Sequence, residues 1–249
     1  MGVQFVPFAD FTAAHLGVFW AKVRRNYPKI SDNPPLVHQK ELLELKPNLE
    51  THTLLRVPLA IRSWYITEDE TQLIQLQKDQ FLRNWRRLNQ TDSYPRFENL
   101  VESFNVDFQE FCKFVKEEKL GEVNIDQCEL TYINQIEKGI GWRDFSDLGE
   151  ALTPFRQNWK PKLLSNPEIM GWNASYKLPD TMGRMYIEVE PAFRMRDTKM
   201  VVVVRIKTRG APVANNDYMS WFDAAHKMIV SSFVELTETK MHTLWGKVS

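Results

Sequence analysis

The spacing of hydrophobic residues changes several times along this chain, and each change marks an element. "VQFVPF" is short, apolar and interrupted by Pro7, which predicts an edge strand. Phe11, His15, Val18, Phe19 and Val23 recur at helical spacing behind Asp10, a residue type that caps helices. The pre-proline position of Tyr27 predicts the stop. Residues 28–53 hold four of the thirteen prolines. They read as a long connection with one helical turn at 38–45, the best place for a functional loop. Leu54–Ile66 reads as extended chain. "EDET" is polar and apolar residues resume at Leu73, so Ser63–Thr67 is expected to pair with Gln72–Gln77 as a hairpin.

Phe97, Val101, Phe104, Phe108, Phe111 and Val115 trace one helical stripe, with Gly121 as the expected stop. In "NIDQCELTYINQI" the alternation puts Cys128, Leu130, Tyr132, Asn134 and Ile136 on one strand face. "GWRDFSDLGEALTPF" reads as a short helix. "IMGWNASYKL" and "GRMYIEVEPAFRM" are strands joined across "PDTMG", a turn composition, with Pro191 marking a bulge or an edge. The four valines of "KMVVVVRIKTRG" predict a strand covered on both faces. A last long helix carries Trp221, Ala225, Met228, Ile229, Ser232 and Leu236 on its inner stripe, with Asp217 as cap.

Strands in runs, each closed by a helix, predict the α+β class. The expected architecture is a twisted, mostly antiparallel sheet of about seven strands covered by three long helices. It forms a single domain over residues 1–249, with loose similarity between residues 1–93 and 94–249.

Composition narrows the function classes. The chain has 249 residues, 43% hydrophobic and 26% charged, as globular domains do. Aromatics reach 12%, including fifteen Phe and eight Trp, so a large core is expected. Lys+Arg and Asp+Glu both number 32, a balance that argues against broad duplex binding and favours association with a partner or a second copy. Cys112 and Cys128 are expected as free thiols in a reducing compartment. No apolar run is long enough for a membrane span and the N-terminus lacks the charge pattern of a secretory signal, so the expected location is cytoplasmic, away from membranes.

Catalytic signatures do not emerge from the motifs. Glycine-rich dinucleotide and phosphate loops and the serine elbow are missing, and no histidine pair has zinc spacing. No catalytic residue, metal ligand or cofactor is therefore assigned. Asp223 and His226 share a helix face, where a surface hydrogen bond is the simpler reading than an acid–base pair. Glu188 and Glu190 share a strand face, and cross-strand ion pairs explain them.

One stretch stands out: "RSWYITEDETQLIQLQKDQFLRNWRRL". Gln75, Gln77 and Asp79 alternate with Ile74, Leu76 and Lys78. Phe81 and Trp85 fall on the glutamine side if the strand runs on, which predicts a bulge near Lys78–Asp79 or a change of cover there. Glutamines donate and accept, arginines supply forked cations, and Trp and Tyr offer flat faces. Trp64, Tyr65, Gln75, Gln77, Arg83, Trp85 and Arg86 are the candidate binding residues. A partner protein, a single-stranded nucleic acid or a polar small molecule would each suit them. The plainer alternative is an exposed sheet face kept hydrated by its glutamines.

Arg62-x-Trp64-Tyr65, Leu73-Ile74-Gln75-Leu76-Gln77, Phe81, Asn84-Trp85-Arg86 and Tyr94-Pro95-Arg96-Phe97 together resemble the signature region of a sporadically distributed bacterial family of about this length. The ending "WFDAAHKMIVSSFVELTETKMHTLWG" is similar to that family's as well. The resemblance brings no catalytic residue. Its patchy distribution implies an accessory gene of the toxin–antitoxin or phage-defence type. The expected function is therefore a non-catalytic interaction or regulatory protein that binds a partner from the same operon through the polar–aromatic surface. The alternatives are a small-molecule-binding domain with a helix gripping a curved sheet, and a single-stranded nucleic-acid binder.

Overall fold

The computed structural model describes residues 1–38, 41, 43, 61–89, 91–156, 162–213 and 217–246. In chain order the elements are β1 (Gly2–Phe5), α1 (Ala13–Val23), β2 (Lys29–Asn33), β3 (Arg62–Ile66), β4 (Gln72–Gln77), β5 (Gln80–Trp85), α2 (Phe97–Glu117), β6 (Ile125–Glu137), β7 (Trp172–Lys177), β8 (Arg184–Phe193), β9 (Met200–Gly210), α3 (Tyr218–Leu236) and α4 (Thr239–Leu244). Short 3-10 turns occupy Leu148–Glu150 and Thr153–Phe155, where one short helix is expected from sequence. The class is α+β, with a nine-stranded open sheet in the order β2-β3-β4-β5-β1-β6-β9-β8-β7.

Two strands exceed the expected count. One is β2, inside the stretch read as a connection. The other arises because residues 72–85 are two strands: Gln77 pairs with Gln80 and the chain reverses at Lys78–Asp79. The helical turn expected at 38–45, and most of the extended chain expected from Leu54, lie outside the described residues. The Ser63–Thr67 hairpin with Gln72–Gln77 is present: Ser63 faces Leu76, Ile66 faces Leu73, and Thr67 N–H donates to Gln72 O at 3.0 Å.

The chain forms two compact units. The first comprises Met1–Leu130, Pro179–Gly183 and Arg209–Asp223. Its core lies between α1, α2 and one face of the sheet. Phe104, Phe108, Phe111 and Val115 of the expected stripe are buried against Phe5, Phe19 and Phe81. Phe81 reaches Phe111 at 5.4 Å between ring centroids, and Phe19 reaches Phe111 edge-on at 5.6 Å. α2 stops before Gly121. Lys119 takes the left-handed conformation at φ 57°, and Leu120 N–H and Lys119 N–H close back onto Val115 O and Lys116 O. That is a Schellman cap with lysine in the glycine position. α1 is capped by Thr12 rather than Asp10: Thr12 N–H donates to His15 Nδ1 at 2.9 Å.

The second unit comprises Thr131–Leu178, Arg184–Thr208 and Ala224–Ser249. Met185, Ile187 and Val189 alternate inward on β8, and Val202, Val204 and Ile206 on β9. Of the four valines, Val203 is only half-buried, so the run is covered on both faces at its start alone. Glu188 pairs with Arg205 across β8 and β9, and Arg194 bridges Glu137 at 2.7 Å and Asp197 at 2.6 Å. His226 turns to Tyr132, with Nδ1 at 3.0 Å from the hydroxyl.

Topology repeats in the two parts of the chain. In each, the opening strand (β1, β6) neighbours the last strand of its part (β5, β9), and a long helix follows. The repeat therefore runs β1 to α2 and β6 to α3.

Candidate functional site

Residues paired across neighbouring strands share a sheet face. Tyr65, Ile74 and Arg83 are in register across β3, β4 and β5, and so are Ser63, Leu76 and Phe81. Phe81, Arg83 and Trp85 thus belong to the core face, not to the glutamine side. The tight reversal at Lys78–Asp79 is the reason: it lets Gln77 and Gln80 oppose each other, which shifts every residue after it onto the face its parity would otherwise deny.

Four of the candidate contact residues are buried, Tyr65 and Arg83 on the core face and Gln75 and Gln77 on the opposite one. Tyr65 is fully buried and its hydroxyl donates to Leu16 O at 2.9 Å. Burial raises its pKa well above the usual tyrosine value. Arg83 is buried, with Nε 2.7 Å from Asp107 Oδ2 on α2 and Nη2 on Gln72 Oε1. The same Asp107 oxygen accepts from the Tyr27 hydroxyl. Arg83 is thus a structural counter-charge and offers nothing to solvent. Trp85 packs edge-on against Tyr94 at 5.2 Å. Arg86 Nε donates to Glu70 O at 2.8 Å and fastens the turn between β3 and β4.

Trp64, Gln75 and Gln77 lie on the other face, the one turned away from α1 and α2. Gln75 Nε2 donates to Asn84 Oδ1 at 2.8 Å, and Arg62 Nη1 donates to Gln75 Oε1 at 2.9 Å. The Arg62 guanidinium sits over the Trp64 ring, 5.5 Å from its centroid. Burial lowers the Arg62 pKa from its ordinary value. Trp64 Nε1 and Arg62 Nε are buried donors without a hydrogen-bond partner. Such donors are costly to leave unmatched and are uncommon in folded proteins.

The register also builds something the sequence reading missed. Gln77 opposes Gln80, Gln80 opposes Gln4, and Gln4 opposes Gln127, so four glutamines form one row across β4, β5, β1 and β6. All four are buried. Main-chain groups of Leu36, Val37 and Glu41 meet three of them. Gln77 Oε1 accepts from Leu36 N–H at 2.8 Å while Gln77 Nε2 donates to Leu36 O at 3.0 Å. Gln80 Nε2 donates to Val37 O at 3.3 Å, and Gln127 Oε1 accepts from Glu41 N–H at 2.7 Å. The row behaves as a set of side-chain amides standing in for a neighbouring strand.

Beside the row, His38 lies between two carboxylates. Its Nδ1 is 3.1 Å from Asp79 Oδ2 and its Nε2 is 3.8 Å from Asp126 Oδ2. Asp79 also accepts from Gln77 Nε2 at 2.7 Å. Gln4, Gln80, Gln127, His38, Asp79 and Asp126 thus join Gln75 and Gln77 on one polar face. A local signal existed at one position only: Gln4 is set between the apolar Val3 and Phe5. The alignment of the row depends on β1 standing between β5 and β6, which no local pattern encodes.

Among the described residues, no group of three or more His, Cys, Asp and Glu side chains is placed to hold a metal ion, and no helix is long and apolar enough to cross a membrane. Compared with protein-family models, curated proteins and solved structures, the chain finds no match.

Proposed function

We propose that this chain is a non-catalytic interaction protein of a bacterial accessory system, of the toxin–antitoxin or defence type, which docks a partner protein from the same operon. The docking surface is the polar sheet face of the first unit, reached through the half-buried Arg62 and Trp64, with Gln75 and Gln77 buried beside them. The observation that carries this reading is the glutamine row: four sheet side chains in register, three of them bonded to polypeptide main chain. The orphan donors Trp64 Nε1 and Arg62 Nε support it, because a partner's carbonyl or carboxylate would satisfy them. A nucleic-acid reading loses support at Trp64, since Arg62 already covers one face of its ring, and at Arg83, which is spent on Asp107.

Co-expression of the tagged chain with each product of the adjacent genes tests the proposal. One of them is expected to co-purify in a fixed ratio. Trp64→Phe, which keeps an aromatic side chain but removes the N–H together with the five-membered ring of the indole, is expected to weaken that capture while melting stays near wild type. Recovery of the chain alone from every pairing overturns the reading.

A further inference from the structure

We propose that β7 is a dimerisation edge, which pairs antiparallel with β7 of a second copy of this chain about a twofold axis at Ala174. The proposal concerns the second unit and stands apart from the docking face described above.

The two edges of the sheet are unlike. β2, at one end, carries Lys29 and Asp32 in a short strand and runs into Pro34 and Pro35. Charges and prolines guard an edge against strand addition. β7, at the other end, has neither a proline nor a bulge: Trp172–Lys177 pairs one for one with β8, from Val189 back to Arg184. Its only charge is Lys177, at its end. An antiparallel strand turns the N–H and C=O groups of alternate residues to opposite sides. Among the described residues β8 is the one strand beside β7, so every second residue of β7 presents unpaired main-chain groups outward.

The side chains choose the occupant. Trp172, Ala174 and Tyr176 stand in register with Val189, Ile187 and Met185, so they continue the buried face of β8. That face is left open at the edge. Trp172 is half-buried, Tyr176 is 48% exposed, and neither ring has an aromatic partner among the described residues. A twofold axis that extends a sheet keeps the same face of both copies on the same side, so opposed residues must come from the same face. With Ala174 opposite itself, Trp172 opposes Tyr176 of the second copy, and the symmetry repeats the pair. Each ring thus gains the cross-strand aromatic neighbour it lacks. Asn173 opposes Ser175 on the other face, and Lys177 falls opposite Gly171, away from its own copy. An axis at Asn173 or Ser175 would instead set Tyr176 against Met170 or Ala174 and lose the aromatic pairs. Leu163, Leu164 and Ile169, in the segment that leads into β7, are exposed as well, apolar area of the kind that interfaces cover. The chain carries no net charge, so two copies meet no long-range repulsion.

Sedimentation velocity of the purified chain alone, from micromolar to submillimolar concentration, tests the proposal. A reversible monomer–dimer equilibrium is expected. Y176A, at a half-exposed residue, should melt as wild type does and raise the dimer dissociation constant about fivefold or more, since both aromatic pairs are lost. Crosslinking reads the register. A174C sets the new thiol against its own copy and should give a disulfide-linked dimer under mild oxidation. N173C, whose copies stand diagonally and beyond disulfide reach, should not. Wild type, with Cys112 and Cys128, supplies the background. A chain that stays monomeric over the whole range overturns the proposal. So does a dimer that Y176A leaves unchanged, or one that N173C crosslinks as readily as A174C. No other protein is present, so these outcomes leave the partner reading to its own test.

Discussion

Arg83 and Asp107 form an ion pair inside the first unit, with Nε 2.7 Å from Oδ2 and side chains only 7% and 14% exposed. A charge removed from such a pair leaves the other desolvated and uncompensated. Arg83→Ala is therefore expected to destabilise the fold by roughly 3–5 kcal/mol in denaturant melts. Arg86→Ala removes a half-exposed contact with Glu70 and should stay within about 0.5 kcal/mol. In a double-mutant cycle the R83A and D107A effects should fall well short of additive. Equal, small effects for both arginines would mean that Arg83 is not the buried partner described.

Glycines separate two kinds of constraint. A Cβ on Gly210 would stand 1.9 Å from Met182 O, and one on Gly183, held at φ 134°, would stand 1.9 Å from Arg209 O. The obstructing atoms are backbone, which cannot rotate away. G210A and G183A are each expected to cost on the order of 1–3 kcal/mol or more. At Gly17, inside α1, an added methyl group would meet nothing within 4 Å, so G17A should stabilise by about 0.5–1 kcal/mol through helix propensity. Chemical denaturation of the three variants checks both signs.

α2 was legible in the sequence because a helix with one buried side writes its own period: Phe97, Val101, Phe104, Phe108, Phe111 and Val115 are all buried as spaced. The hairpin of β3 and β4 was legible because an acidic loop separates two apolar runs. Residues 72–85 misled for two physical reasons. Lys78–Asp79 makes a tight reversal without Gly or Asn, so the turn leaves little trace. Buried glutamines also look like surface, because their cover is a distant segment of polar main chain. Once the reversal is missed, the faces of Phe81, Arg83 and Trp85 come out inverted, and an internal arginine is taken for a contact. The glutamine row itself needs the register of four strands, two of them far apart in sequence.

α3 should be indispensable to the first unit. Phe222 meets Phe104 edge-on at 5.1 Å, Tyr218 meets Phe108 at 5.3 Å, and the Tyr218 hydroxyl accepts from Gln109 at 2.8 Å and donates to Asn105 at 2.6 Å. Truncation after Gly210 strips this cover from α2 and is expected to give an insoluble or unfolded product. Phe222→Ala, a gentler change at a fully buried ring, should cost about 3–5 kcal/mol. A truncated chain that stays soluble and melts cooperatively would make α3 an accessory arm.

Both cysteines are free, and neither is poised to react. Burial pushes the Cys112 thiol up to about 11, against a smaller opposing pull from Lys116, and pushes Cys128 higher still. Native alkylation by iodoacetamide should accordingly be slow near neutral pH, because the thiolate is the nucleophile. The Cys112 rate should climb about tenfold per pH unit until about pH 11, while Cys128 reacts only on unfolding. The linkage has a definite sign. A thiol that holds its proton more tightly when folded stabilises the fold below the unfolded value near 9. That contribution is lost as pH rises from about 9 through about 11. Stability should therefore fall across that alkaline window in wild type and fall less in C112A, measured by urea melts at each pH. A Cys112 that alkylates at pH 7.5 as fast as a thiol in the urea-unfolded chain would refute the assignment.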